Sequence, residues 1–252
     1  MKYCNDRGAG RIGFIVPVSN SNLEPDMVAM RPDGVSLHFM RAGGYDLDQI
    51  PDSSQMRQFA ESSLDAVVQA LSAVRPDVVA YGCTSATLSL GPDYDREFRS
   101  KIESLAGVPS FTAACALVET LRDLGIGAVG FASPYTEQLN REGADFLSAS
   151  GIKVVNTAYV GQDLGNYGQG ALTPDEVFSL GLRSNHKEAE ALVLSCTDMR
   201  TIEVIKELEK ALDKPVVSSN QALMYVATKL LGLRGRVPGR VSKLMISAKS
   251  AR

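Results

Sequence analysis

Two short runs more than a hundred residues apart share one grammar. YGCTSAT occupies positions 81–87 and LSCTDMRT positions 194–201, and each places a cysteine and then a threonine directly after a short apolar stretch. The intervals leading to them match as well: from Val16 to Cys83 is 67 residues, and from Phe131 to Cys196 is 65. The closing segments also pair. VPSFTAACALVETLRDLG resembles PVVSSNQALMYVATKLLG, each a strand end, a polar cap and an apolar helix stopped by glycine. A chain that repeats a unit of this length folds as two similar halves, and the two cysteines then occupy equivalent positions.

Within each unit, β-rich runs alternate with helical patterns, which is how a parallel sheet built from βαβ units reads. Strands are expected at 12–17, 35–41, 78–81 and 108–111, and again at 128–132, 153–156, 191–195 and 215–218. Amphipathic helices are expected at 54–74 and 133–150, where apolar residues recur at three- and four-residue spacing. The fold class is α/β: two half-domains, each a doubly wound four-stranded parallel sheet flanked by helices, related by a pseudo-twofold axis. The first half is expected to span 1–111, with the last helix and tail (219–252) packing back on it. The second spans 112–218, with the active site between them. GIGAVG at 125–130 matches a dinucleotide fingerprint only in letters. That fingerprint follows a strand and opens a helix, whereas here a helix ends at Gly125 and a strand follows, so Gly125 reads as a helix C-cap.

Composition bounds the function classes. The 252 residues are 44% apolar, and no apolar stretch approaches the roughly 20 residues needed to cross a bilayer. A formal charge of −3 leaves no nucleic-acid footprint. The basic residues after Leu233 (Arg234, Arg236, Arg240, Lys243, Lys249, Arg252) read as a disordered or subunit-contacting tail. MKYCNDRGAGR carries no apolar run of the kind a secretory signal needs, so the chain is expected in the cytoplasm with its thiols reduced. Cys4, Cys83, Cys115 and Cys196 form no CxxC pair, and His38 and His186 lie far from them in sequence, so no metal is expected. A homodimer or homotetramer suits an α/β enzyme of this size.

Open α/β sheets bind ligands beyond the carboxyl ends of their strands, where Cys83 and Cys196 fall. If each cysteine precedes a helix start, with Thr84 and Ser85 or Thr197 and Asp198 as caps, free amides and the helix dipole favour a bound carboxylate. The same field draws a thiol pKa from about 8.5 towards neutrality. Cys4 and Cys115 fit the alternative of a small apolar packing residue.

At these residues the chain resembles the aspartate/glutamate racemase superfamily, and within it the maleate cis–trans isomerase and arylmalonate decarboxylase branch. The resemblance spans roughly Arg11 to Gly232. It rests on RIGFIVPVSN, GCTSAT, SPYTEQLN, LSCTDM and PVVSSNQA taken together. The decarboxylases have glycine at the first thiol position; this chain has both cysteines, which makes it more similar to the isomerases or to a racemase. The resemblance implies that no cofactor is used and that the substrate is a small dicarboxylate. It implies Cys83 as a nucleophile adding to an alkene carbon and Cys196 as the group that gives and recovers a proton at the neighbouring carbon. Asn20, Tyr135 and Asn166, the last in a later loop, GQDLGNYGQG, would anchor the carboxylates. Thr84, Ser85 and Thr197, with Asn22, Ser219 and Asn220, are further pocket candidates. RAGGYDLDQIPDSS (41–54) reads as a lid or a plain connection.

Three other activities fit the same residues. A racemase of amino acids or hydantoins would use the thiols as opposed acid and base, and a decarboxylase would protonate an enediolate through one thiol. A carboxylate-binding protein would do no chemistry on the same scaffold.

Overall fold

The computed structural model describes residues 8–43, 53–233 and 237–244. Cys4, most of the 41–54 segment and the tail residues Arg234, Arg236, Lys249 and Arg252 lie outside them. The first half runs β1 (Gly10–Pro17), α1 (Leu23–Met30), β2 (Val35–Ala42), α2 (Ser53–Glu61), α3 (Leu64–Ser72), β3 (Val78–Tyr81), α4 (Ser85–Leu88), α5 (Gly91–Ala106) and β4 (Ser110–Thr112). Helix α6 (Ala113–Asp123) leads into β5 (Ala128–Ser133), α7 (Glu137–Ala149), β6 (Lys153–Tyr159), α8 (Gly165–Ala171), α9 (Pro174–Ser184), β7 (Ala191–Leu194), α10 (Ile205–Leu212), β8 (Val216–Ser218) and α11 (Ser219–Leu230). The two sheets are wholly parallel and have the same order, β2-β1-β3-β4 and β6-β5-β7-β8.

The inner strands β3 (VVAY) and β7 (ALVL) are buried at every position, because helices cover both faces of a parallel sheet and leave no side for a polar residue. Glycine is required where backbone meets backbone across these layers. A Cβ on Gly130 of β5 would lie 2.2 Å from the carbonyl oxygen of Ser184, at the end of α9. The closing helices α6 and α11 pack against each other, and α11 also touches α1, β3 and β8. Helix α11 is accordingly buried on all sides from Ser219 to Thr228. Gly125 follows α6 with φ of +71°, and the amides of Gly125 and Ile126 bond back to Arg122 and Leu121. This is a Schellman cap and not a nucleotide loop.

Four expectations need correction. The helix expected over 54–74 is two helices broken at Ser62–Ser63, where the Ser63 hydroxyl accepts from the Gly43 amide. The helix expected from 133 begins at Glu137, because Pro134 disfavours helical backbone at Ser133 and Thr136 caps the Leu139 amide. The glycine-rich run around 165–171, expected as a loop, contains α8. The basic tail is docked over 237–244: Val237 and Val241 are buried, Arg240 pairs with Asp213, and the Arg240 amide donates to Glu209 Oε1 at 2.8 Å. These contacts lie on α10 and its C-terminal turn. Among the described residues no helix is long and apolar enough to cross a membrane.

Candidate active site

The strand order fixes where the site sits. In each sheet the chain leaves the first strand on one side and returns on the other, opening a crevice at the carboxyl ends of β1 and β3, and likewise of β5 and β7. The four segments leaving those strands carry Asn20, Cys83, Tyr135 and Cys196 in turn. Gly82, before Cys83, continues the ladder through its amide to the Ile15 carbonyl at 2.7 Å. A Cβ there would lie 2.4 Å from Leu23 Cδ1 and 3.1 Å from the Ile15 carbonyl, so a larger residue would push the Leu23 side chain of α1 aside.

The two cysteine turns are bonded to each other. Thr197, next to Cys196, donates through Oγ1 to the carbonyl of Gly82, next to Cys83, at 2.7 Å. Asn20 Nδ2 donates to the same Thr197 Oγ1 at 3.0 Å, while Asn20 Oδ1 accepts from the amides of Asn22 and Leu23. Asp198 completes the joint: its Oδ1 accepts from the Ser21 amide at 2.7 Å and the Asn22 amide at 3.0 Å. Asn22 Nδ2 donates to the Asp198 carbonyl at 2.7 Å and to the Gly170 carbonyl at 3.1 Å. Buried polar groups of the first half thus find their partners in the second, as burial demands.

Cys83 and Cys196 are 7% and 5% exposed. The Cys83 sulfur lies 3.6 Å from the Ser85 hydroxyl. Burial pushes the Cys83 thiol up, opposed by bonds from the Ala86 amide and from the Ser85 hydroxyl and amide. Burial likewise pushes Cys196 up, to about 12; the Asp198 carboxylate and the Cys83 charge add to this, while the Asp198 amide and Tyr135 hydroxyl oppose it. Tyr135 is buried at the carboxyl end of β5. Burial foremost, then the charges of Cys196 and Cys83, hold its hydroxyl protonated.

The expected drop of thiol pKa towards neutrality is therefore overturned, because desolvation outweighs the amides. The expected helix start after Cys196 is also absent. Helix α10 begins only at Ile205, whereas Cys83 is followed closely by α4.

The remaining candidates divide. Thr84 donates to the Ser219 hydroxyl at 3.0 Å, tying the Cys83 turn to α11. Asn220 donates to Asp26 Oδ2 at 2.7 Å and to the Thr197 carbonyl at 2.9 Å. The cap of α11 is Ser218, through a reciprocal bond pair with Gln221, so neither Ser219 nor Asn220 serves in that role. Asn166 lies in α8, and its side chain is outside the described residues. Cys115 belongs to the cap of α6, bonded to Thr112. His38 pairs with Ser36 within β2, and His186 lies before β7, at the end of that strand opposite Cys196.

Sequence reasoning missed Gln169, which accepts from the Cys196 thiol through Oε1 at 3.4 Å. Its one signal was a polar residue among the glycines of GQDLGNYGQG. Among the described residues no group of three or more His, Cys, Asp or Glu is placed to hold a metal.

Known proteins share this architecture. A maleate isomerase of Alcaligenes faecalis is 29% identical over 242 residues, spanning 90% of this chain and 93% of the relative. The maleate isomerase Iso of Pseudomonas putida S16 superposes with a TM-score of 0.85 at 25% identity, over 95% of this chain and 99% of that one. A cysteine-to-serine mutant of Nocardia farcinica maleate cis-trans isomerase, holding a covalently bound succinylcysteine intermediate, superposes with a TM-score of 0.83. It is 23% identical over 92% of this chain and 98% of that one, a likeness of fold. The family model described as arylmalonate decarboxylase matches residues 12–245, a span that takes in both cysteine turns and both sheets, and the chain belongs to that family.

Proposed function

We propose that the protein converts maleate, or a closely related small cis-unsaturated dicarboxylate, to its trans isomer, with Cys83 as the nucleophile and Cys196 as the proton donor and acceptor. The observation that carries this reading is the bond from Thr197 to Gly82, which joins the immediate neighbours of the two cysteines at 2.7 Å. The site lies between a first half-domain completed by α11 and a second half-domain.

The two thiols differ in a way that suits these roles. Cys83 receives amide and hydroxyl donors that stabilise a thiolate, while Cys196 faces Asp198, which opposes one. Burial raises both thiols, but the donors around Cys83 make it the readier to ionise: it releases its proton to solvent, and Cys196 keeps its own. The Cys83 thiolate adds to one alkene carbon, the π pair moves to the neighbouring carbon and its carboxylate, and Cys196 protonates that carbon. The former double bond is now single and rotates. Cys196, as thiolate, takes the proton back, the C–S bond breaks, and the trans alkene leaves. Covalent addition replaces one prohibitive rotation by accessible steps. The succinylcysteine of the Nocardia farcinica relative is the kind of adduct this sequence of steps forms.

For anchoring, Asn20 has an amide hydrogen beyond its bond to Thr197, and Tyr135 offers a neutral hydroxyl. Ser85, Thr84 and Asn166 complete the candidate set around the carboxylates. No cofactor enters these steps. Two working thiols suit a reducing cytoplasm, and a homodimer or homotetramer remains our reading of the assembly.

Proton NMR of maleate with the protein tests this directly. Fumarate should form, and Cys83→Ser and Cys196→Ser should each lower turnover by at least about a hundredfold. Intact mass should show one maleate-derived adduct at Cys83 in the Cys196→Ser protein. Normal turnover in either variant would reject the paired-thiol mechanism. Carbon dioxide from an arylmalonate, or α-proton exchange in aspartate or a hydantoin, without fumarate formation would reassign the substrate.

A further inference from the structure

Helix α8 forms against its own propensity. Three of its seven residues are glycine, each unfavourable by about 1 kcal/mol relative to alanine within a helix. What holds it in place is contact with both halves. The Gly170 carbonyl accepts from Asn22 Nδ2 at 3.1 Å, and a Cβ at Gly170 would lie 2.6 Å from Asp198 Oδ2 and 3.0 Å from Asn22 Nδ2. Gly170 is thus wedged into the joint that unites the β1 and β7 turns. The residue before it, Gln169, is buried and meets the Cys196 thiol.

We propose that Gln169 is a positioning residue for Cys196: its amide holds the thiol proton when Cys196 is the acid and turns to donate when Cys196 is the thiolate. The inference rests on the acid–base role given to Cys196 above. A neutral amide suits that role because it carries an acceptor and donors on one rotatable group. In the resting enzyme Oε1 accepts the S–H. As the adduct forms, the proton passes from sulfur to carbon, and an Nε2 hydrogen replaces the lost S–H contact. On the return step the proton comes back to sulfur and Oε1 accepts it again. Gln169 itself neither gains nor loses a proton. The wedge at Gly170 is what makes the distance reproducible, since a side chain on a loosely held glycine-rich turn would not hold a thiol in one orientation.

The test uses Gln169→Leu and Gln169→Glu in the full chain, with thermal melts to confirm folding. Gln169→Leu removes both donor and acceptor at similar volume. It should lower kcat on maleate about tenfold, the loss of one buried hydrogen bond, with KM changed less than about twofold and a larger solvent deuterium isotope effect on kcat. Gln169→Glu keeps an acceptor but adds a negative charge beside Cys196. In a Cys83→Ser background it should slow alkylation of Cys196 by iodoacetamide at pH 9 by about tenfold or more. An unchanged kcat in the leucine variant, a loss confined to KM, or an unchanged alkylation rate in a folded glutamate variant would overturn the proposal. If the glutamate variant does not fold, the leucine variant decides through its kcat, KM and isotope effect. If the unmutated protein does not isomerise maleate, the functional reading falls, and the alkylation rate still decides whether Gln169 governs Cys196.

Discussion

Replacing Asp26 by asparagine should make the protein more stable at pH 8 and leave it nearly unchanged at pH 4. Asp26 is buried on α1, and its Oδ2 accepts from Asn220 Nδ2 at 2.7 Å. Burial raises its pKa from 3.8 to about 7; Glu203 and Asp198 push the same way, against the Asn220 bond and the Arg200 charge. The sign follows from proton counting. Between pH 4 and 7 the folded protein holds a proton at Asp26 that the unfolded chain has released, so stability falls as pH rises across that window and levels above it. A shift from 3.8 to about 7 corresponds to a ceiling of about 4 kcal/mol, and we expect about 2 to 3 kcal/mol once relaxation around the charge is included. Asparagine mimics the protonated acid at every pH. It keeps the acceptor for Asn220 Nδ2 and offers an N–H to Asn220 Oδ1, which is buried without a partner. Urea unfolding of both proteins from pH 4 to 8 measures the difference. A variant less stable than the parent at pH 8, or a difference independent of pH, would refute the reasoning.

Two further outcomes follow from the same structure. Because burial raises the Cys83 thiol while Cys196 stays protonated up to about pH 12, kcat/KM for maleate should climb with pH between 7 and 9 without a descending limb there; a flat or bell-shaped profile in that range would contradict the assignment of roles. Gly130→Ala should destabilise by about 3 kcal/mol or more in urea, since its Cβ would lie 2.2 Å from a backbone carbonyl. Gly127→Ala should be close to neutral by comparison, its nearest neighbour being a side-chain oxygen at 3.8 Å, and equal effects would show that the α9–β5 packing is not the cause.

What was legible in the sequence was whatever a short window encodes. All eight expected strands are found; β3, β4, β7 and β8 are buried at every position and advertise it residue by residue, while the edge strands β2 and β6 are only partly covered. The repeat placed both cysteines just beyond their strands, and Gly125 declared the end of α6 by its position alone. Thr197 was legible as a polar residue leaving a strand end, and Asn20 and Tyr135 through the family resemblance.

Their partners were not legible. Thr197 with Gly82, Ser21 and Asn22 with Asp198, and Asn220 with Asp26 each join residues distant in sequence, and no local pattern records such a bond. The sign of the thiol shifts was likewise decided by tertiary structure. A helix start favours a thiolate, but desolvation sums every neighbour that the two halves bring together, and at Cys83 and Cys196 that sum wins. Helix α8 is the sharpest case: its glycines argue for a loop, and only the groove between Asn22 and Asp198 makes it a helix and sets Gln169 against Cys196. Local composition determined the strands and where chemistry sits along them; packing between the halves decided how tightly each thiol holds its proton.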